Sequence, residues 1–310
     1  MTSFKLGLVS DVQYCDCDDS WNSDKTNKRF YRNSLIHLDR SIEYFKAENC
    51  KNILQLGDLI DGKCKIFNHV EKGLQETGSR LKDDEIELYH VIGNHELYNL
   101  TRLEFSNSFL GDSLRKYGDS VKNMNYYRVD LSSKICLLVL DTYEISLLDS
   151  TDNNYLEAEE FLQQNNPNLN KNEFLGATKP RYVAYNGAIG EKQIKWLKGH
   201  LEDCSLKNMV VILAGHVPIL SDIDERTIVW NNEEILDIIY QFPCVKAYIT
   251  GHQHCGEIIK TRRFIQVTIP AIVESSLEHV PYGIMEIHDS KLAFSKFHGN
   301  WEAFEFKFLD

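Results

Sequence analysis

Residues 52–62 read NILQLGDLIDG: a short apolar run, a glycine, then Asp58 and Asp61. The run has the length of a buried strand, and the glycine lets the backbone turn sharply where that strand ends. The same pattern recurs along the chain. FKLGLVS is followed by Asp11-Val-Gln13, ELYHVI by Gly93-Asn94-His95-Glu96, MVVILA by Gly215-His216, and VKAYIT by Gly251-His252-Gln253-His254. If these strands share a sheet, side chains scattered from residue 11 to residue 254 converge beyond the strand ends, where α/β sheets open onto a crevice. Asp, Asn, Gln and His in such a set point to a two-metal hydrolytic centre. Any one block carries little weight, because a lone histidine after a strand is usually structural. Five in series are hard to reach by chance.

Composition narrows the partners. The chain has 310 residues, 43% of them hydrophobic, enough for one large α/β domain or two small ones. No internal repeat, low-complexity linker or boundary breaks it, so residues 1–310 are expected to form a single domain. No apolar run approaches the ~20 residues that cross a bilayer. The start, MTSFKLGLVSDVQY, lacks a basic region and a cleavage site, so a cytoplasmic protein is expected. The net charge of −12 repels polyanions. Nucleic acid and anionic membrane are therefore excluded as expected partners, leaving a monomer that acts on a small molecule. A phosphate substrate would need a local positive centre, which metal ions supply. The eight cysteines include no C-x-x-C pair and read as free thiols in a reducing compartment. Cys15-Asp-Cys17 could hold a soft metal only with further partners. Asn99-Leu-Thr101 is a glycosylation sequon without meaning unless the chain is secreted.

Periodicity sets the organisation. Strands are expected at Phe4–Ser10, Asn52–Leu56, Leu88–Ile92, Met209–Leu213 and Val245–Ile249, with a hairpin from Tyr126–Asp130 and Ile135–Leu140. Helices are expected near Lys28–Glu48, Lys65–Gln75, Glu191–Cys204 and Asn232–Gln241. The second of these places Ile66, Val70 and Leu74 in a stripe. The last sixty residues read as β: EIIKTRRFIQVTI, PYGIMEIHD and KLAFSKFHGNWEAFEFKF. Residues 149–182 are polar and rich in asparagine, with one short helix near Tyr155–Gln164. Such an insertion is either a cap over a site or a mobile surface loop.

In order, the five blocks resemble the D-x-H, G-D-x-x-D, G-N-H-[DE], G-H, G-H-x-H signature of calcineurin-like metallophosphoesterases. The match spans residues 11–254, with Gln13 in place of a histidine. The resemblance implies a four-layer α/β/β/α sandwich, two mixed sheets flanked by helices, with a dinuclear site at one edge. Carried over by position, one metal takes Asp11, Gln13, Asp58 and His254. The other takes Asp58, Asn94, His216 and His252. His95 is implied to act over the substrate, as a proton donor or by stabilising developing charge. Glu96 could orient His95, and Asp61 could support a ligand; helix capping is the equal alternative for both.

Gln13 refines the expectation. An amide oxygen is a harder ligand than imidazole and favours Mn²⁺ or Mg²⁺ over Zn²⁺. DVQY, KRFYRNS, QLGDLIDG, GNHELYN, LDTYEIS, YNGAIGEKQIKWL, VWNNE and IPAIVES together resemble the manganese-dependent ADP-ribose/CDP-alcohol diphosphatases, from about residue 6 to 276. That resemblance implies hydrolysis of the phosphoanhydride of ADP-ribose, CDP-choline and other CDP-alcohols, with cyclic ADP-ribose as a further candidate. GHQHCGE has Glu257 where a second glycine is expected after G-H-x-H-x-G, which puts Cys255 and Glu257 at the rim in question. Trp21, Tyr182, Tyr185 and Trp230 are candidate walls for a base, though ordinary packing is the readier explanation of each. Arg29 and Arg32 are candidate phosphate contacts, and Asn94 could touch substrate as well as metal. The alternatives are a cyclic-nucleotide phosphodiesterase or phosphomonoesterase on the same fold, and a non-catalytic scaffold.

Overall fold

The computed structural model describes residues 3–118, 125–297 and 301–308. Its strands are β1 (Phe4–Val9), β2 (Ser20–Trp21), β3 (Lys28–Arg29), β4 (Asn52–Gln55), β5 (Glu87–His90), β6 (Tyr127–Ser132) and β7 (Ile135–Val139). They continue with β8 (Val210–Ala214), β9 (Val245–Thr250), β10 (Glu257–Lys260), β11 (Ile265–Thr268), β12 (Gly283–Ile287), β13 (Lys291–Phe294) and β14 (Phe304–Lys307). Two six-stranded sheets form, in the orders β14-β13-β12-β1-β4-β5 and β10-β11-β9-β8-β7-β6. Both are mixed. β1, β4 and β5 run parallel, as do β7, β8, β9 and β11, while β12, β6 and β10 pair antiparallel at the junctions.

The alternation of side chains along each strand stacks these sheets. Leu6 and Leu8 of β1 and Leu54 of β4 share a buried cluster with Leu137, Val139, Ile212, Ala214, Ala247 and Ile249 of the other sheet. Residues of opposite parity face helices: Val9 and Ile53 cluster with Leu38, Ile42 and Phe45, and Cys136, Leu138 and Leu213 with Leu197 and Leu201. Each sheet is covered on both faces, so β7 (ICLLV) is buried throughout and reads as a continuous apolar run. Gly7 permits the close approach of the first helix, since a Cβ there would stand 3.0 Å from the Phe45 ring. The four-layer sandwich is the expected one.

Three expectations change. The helix expected from Lys28 begins at Asn33, because Lys28 and Arg29 pair with Ser20 and Trp21 and Phe30 donates its N–H to Val273 O. The helix expected at Lys65–Gln75 is two, Lys63–Ile66 and Val70–Leu81, broken where Asn68 turns left-handed at φ +57°. Ile66 is consequently 75% exposed rather than part of a buried stripe. Between Asn94 and Tyr117 lie three six-residue helices that no periodicity announced. The insertion carries its helix at Tyr155–Asn165. Past it the chain is held by Asn166, whose amide donates to the carbonyls of Glu173 and Tyr182. Within the C-terminal β run, residues 298–300 lie outside the described residues. Among the described residues no helix is long and apolar enough to cross a membrane.

Candidate metal centre

Backbone bonds stitch the first block to the second and the fourth to the fifth. Asp11 N–H donates to Gly57 O, Gln13 N–H to Asp58 O, Gly251 N–H to His216 O, and Val273 N–H to Asp11 O. Asp11, Gln13, Asp58 and His252 all sit in the left-handed region, with φ of +49°, +43°, +57° and +66°. Each such conformation in a non-glycine residue costs on the order of 1–3 kcal/mol and persists only where its surroundings over-determine it. Gly57, at φ +96°, has no room for a side chain, as a Cβ would meet His216 Nδ1 at 2.5 Å. Strain therefore gathers where the polar side chains converge.

Asp58 stands at the middle of the cluster. Its Oδ2 lies 3.2 Å from Gln13 Nε2 on one side and 3.4 Å from His216 Nε2 on the other. His254 Nε2 is 3.3 Å from Asp11 Oδ1 and 3.0 Å from Gln13 Nε2. Rotating the Gln13 amide by half a turn brings its oxygen to that same place. His252 Nδ1 is 3.2 Å from Asn94 Oδ1. Asp11 Oδ1, Gln13 Oε1 and His216 Nε2 are buried without a hydrogen-bond partner. Orphaned buried acceptors are costly. Acceptors that converge on one another are what a cation requires, so the residues fit a metal. Among the described residues, Asp11, Asp58 and His216 bring ligand atoms within 4.8 Å of one another. Cys15 and Cys17 instead pack with Cys64, Tyr31 and Ile60 in an apolar cluster.

Charge follows from burial against pairing. Burial pushes the Asp11 and Asp58 carboxyls up, but the histidines around them hold both below the ordinary range. Burial opposes charge on His216 and His254 as well. Asp58 and Asp11 nevertheless carry His216 to about 9, and Asp11 with Glu274 carries His254 to about 9. His252 differs: burial and the charge of His216 hold it down at about 3.

Three supporting residues had no assigned role in the sequence reading. Glu274 Oε1 lies 2.7 Å from His254 Nδ1 and accepts from Arg29 Nε at 3.2 Å. Asn186 Oδ1 lies 2.9 Å from His252 Nε2. Tyr143 OH donates to Asn94 Oδ1 at 3.0 Å. His216 fixes its own ring by donating Nδ1–H to Leu56 O at 2.6 Å. Glu274 lies in IPAIVES and Asn186 in YNGAIG, short runs whose family likeness was the signal available for either.

The two expected supporting acids have different duties. Glu96 does not orient the His95 ring: it accepts N–H bonds from Asp58, Leu59 and Gly93, tying the loops at Gly57 and Gly93 together. Burial and the nearby Asp58 raise its carboxyl to about 7. Asp61 supports His95 rather than a ligand, with Oδ2 3.2 Å from Nδ1, while its Oδ1 caps the next helix through Lys63 N–H. The Gly62 N–H lies 2.9 Å from the same His95 Nδ1, which accepts it in the neutral ring and turns to Asp61 when the ring is protonated, and Nε2 lies 3.9 Å from Asp58 Oδ2. Asn99 is buried and bonded to the carbonyls of His95 and Asp61, which closes the sequon to modification.

Comparison with known proteins now decides the family. The calcineurin-like phosphoesterase pattern matches residues 4–256. The chain belongs to that family. It is 32% identical over 300 residues to the manganese-dependent ADP-ribose/CDP-alcohol diphosphatase of Arabidopsis thaliana, covering 94% of this chain and 93% of that protein. It is 29% identical over 302 residues to the mouse protein of the same name, covering 93% and 89%. Among solved structures, a dimetal phosphatase from Danio rerio superposes with a TM-score of 0.91 at 24% identity over 99% of each chain, a likeness of fold.

The centre of this phosphoesterase opens into a cavity of about 770 Å³. Gln13, Asp58, Asn94, His95, His252 and His254 line its base, and Arg29, Tyr98, Tyr185 and Arg226 its walls. The insertion supplies a further wall, residues 172–175, where Phe174 lies under the Arg226 guanidinium at 5.1 Å. Other candidate contacts fall elsewhere. Trp21 is 57% exposed while its neighbour Asn22 lines the cavity. Arg32 pairs with Asp16 and Asp18 on the surface. Trp230 is buried, donates to Val183 O and stacks on Phe161; with Tyr182 it lines a second cavity of about 470 Å³. These three aromatic positions follow packing and surface geometry, as the bland reading had it. Cys255 lies exposed on the rim, whereas Glu257 is buried and accepts the Asp222 N–H.

Proposed function

We propose that this phosphoesterase hydrolyses the phosphoanhydride bond of ADP-ribose and of CDP-alcohols such as CDP-choline, with cyclic ADP-ribose as a further substrate. The observation that carries the reading is that Asp11, Asp58 and His216 converge within 4.8 Å, with Asp11 Oδ1, Gln13 Oε1 and His216 Nε2 unpartnered, where Gln13 and Asp58 line a cavity of about 770 Å³. Relatives that align over nearly the whole chain and are named manganese-dependent diphosphatases supply the substrate class. Asp11, Gln13, Asp58 and His254 hold one divalent ion, and Asp58, Asn94, His216 and His252 hold the other. Manganese is preferred, magnesium is the next choice, and zinc is disfavoured by the Gln13 amide. When bound, the pair supplies Lewis acidity to the phosphoryl oxygens and lowers the pKa of water.

The chain's own groups do the rest. A doubly anionic diphosphate is drawn into an acidic protein by local positive charge, where each unit pair at 4 Å contributes about 4 kcal/mol at an effective dielectric near 20. Arg29 balances Glu274 beside the phosphates. Burial opposes charge on His95, but Asp58 and Asp61 raise its pKa, which favours the protonated ring, the form with a proton to give. Water adds its oxygen to one phosphorus and releases a proton to solvent, and the anhydride P–O bond breaks with its electron pair on the leaving phosphate. His95 Nε2 donates the proton that neutralises that oxygen, and Asp61 stabilises the ring in its charged form. Two monophosphates result.

Product chromatography in Mn²⁺ tests this. AMP with ribose 5-phosphate from ADP-ribose, and CMP with phosphocholine from CDP-choline, are expected. Inorganic phosphate as the first product would favour a monoesterase, and no product from any nucleotide would favour a scaffold. Residues 1–310 act as one domain, and the protein is a cytoplasmic monomer that leaves nucleic acid and membrane alone, in keeping with its −12 charge. A sedimentation mass of twice 35.9 kDa would contradict the monomer.

A further inference from the structure

Asn186 is fully buried, and all of its polar atoms are engaged. Its Nδ2 donates to Arg181 O at 3.0 Å and to Arg226 O at 2.7 Å. Both donors are thereby fixed on carbonyls, so the atom turned to His252 Nε2, 2.9 Å away, is the acceptor Oδ1. The ring must then donate Nε2–H, and its lone pair lies on Nδ1, facing Asn94 Oδ1 at 3.2 Å. Two acceptors that close need a cation beside them. Asn94 is held in turn by Tyr143 OH. Tyr143 precedes the polar insertion and Asn186 follows it, so both ends of that segment grip the same pair of side chains. Arg181 ties the grip outward through Trp230 O and Glu233.

We propose that Asn186 is a positioning residue of the metal centre, and that through it the insertion and the ion held by His252 order one another. This rests on the two-metal reading above. By setting the His252 tautomer, Asn186 presents Nδ1 as a ligand, a task that outer-shell partners of metal-bound histidines perform at a cost of about 10–100-fold in affinity when lost. Coupling of this kind is reciprocal: if an ordered insertion tightens the metal, the metal tightens the insertion.

The experiment uses the full-length protein with MnCl₂ as the probe, read by calorimetric titration, by electron paramagnetic resonance of bound Mn²⁺, and by limited proteolysis within residues 166–180. Wild type is expected to take two Mn²⁺ ions and to be protected from cleavage by them. Asn186→Ala should weaken one of the two ions about 10–100-fold, leave the other, and uncouple protection from Mn²⁺. Raising Mn²⁺ should restore kcat with KM unchanged. Asn186→Asp keeps an acceptor for Nε2–H and should bind both ions within threefold of wild type. Asn166→Ala is the control for a loosened insertion. Its amide holds the Glu173 and Tyr182 carbonyls and touches no ligand, so it should increase cleavage and, by the same reciprocity, weaken only the ion that Asn186→Ala weakens, and by less. The proposal is overturned if Asn186→Ala titrates like wild type, if the Asp variant binds as poorly as the Ala variant, or if Asn166→Ala weakens Mn²⁺ equally. A wild type that binds fewer than two ions would refute the two-metal reading instead.

Discussion

His252 and His254 are two residues apart on one loop, yet their surroundings are opposite. His254 leans on a carboxylate: Glu274, itself braced by Arg29 and Asn27, takes its Nδ1. His252 leans on a neutral amide, Asn186. Without metal, His254 is carried to about 9 and stays protonated at neutral pH, whereas His252 is held at about 3 and stays neutral. An ion entering beside His254 must displace its proton, and one entering beside His252 must displace that of His216, while His252 itself presents a ready lone pair and depends on geometry. A centre built this way supports its two metals by different means.

The largest expected effect comes from removing what the halves share. Asp58→Asn deletes the carboxylate that faces both Gln13 and His216, a loss of about 4 kcal/mol of attraction per unit of ionic charge, and hence of at least roughly a thousandfold in kcat/KM. Retained activity in that variant would break the picture of one centre with two halves. Glu274→Gln should weaken one Mn²⁺ about 10–100-fold in a metal titration, and the ion it loses should differ from the one lost in Asn186→Ala. If both variants lose the same ion, the division into halves is wrong.

Acid–base linkage sharpens the contrast further. His254 has its pKa raised by folding, so its pairing with Glu274 stabilises the metal-free protein fully below about 6.5 and fades as pH rises through about 9. Glu274 is held at about 2, so its contribution is present above its ordinary 4.5 and is lost as pH falls through about 2. Denaturation midpoints across pH should show both limbs, and Glu274→Gln should flatten them. Mn²⁺ binding at about pH 7.5 should release protons from His216 and His254, seen as a dependence of calorimetric heat on buffer ionisation enthalpy; His252 should contribute none. The smallest effect is expected at Arg32, whose exposed pairing with Asp16 and Asp18 lies outside the cavity. Arg32→Ala should change kcat/KM and stability by less than about 0.5 kcal/mol. A tenfold loss there would restore it as a phosphate contact.

The five polar blocks could be read in the sequence because each follows a strand buried on both faces, and such strands are apolar runs that end abruptly. The supporting partners could not, because nothing local marks them. Glu274 reaches His254 across 20 residues, and Asn186 reaches His252 across 66. The short helices between Asn94 and Tyr117 escaped for a related reason, since six residues are less than two turns and show no period. The aromatic walls were misplaced at Trp21, Tyr182 and Trp230 because composition cannot distinguish a base platform from a core. Only the fold reveals that Tyr185 faces the centre and Trp230 lies behind the insertion.

The central claim is one dinuclear centre whose halves meet at Asp58. Anomalous diffraction from crystals soaked in MnCl₂ tests it directly. Two manganese peaks roughly 3.5–4 Å apart are expected, on either side of Asp58 Oδ2, one beside Gln13 and His254 and the other beside Asn94, His216 and His252. A single peak, or a pair that leaves Asp58 outside the coordination of either ion, would contradict it.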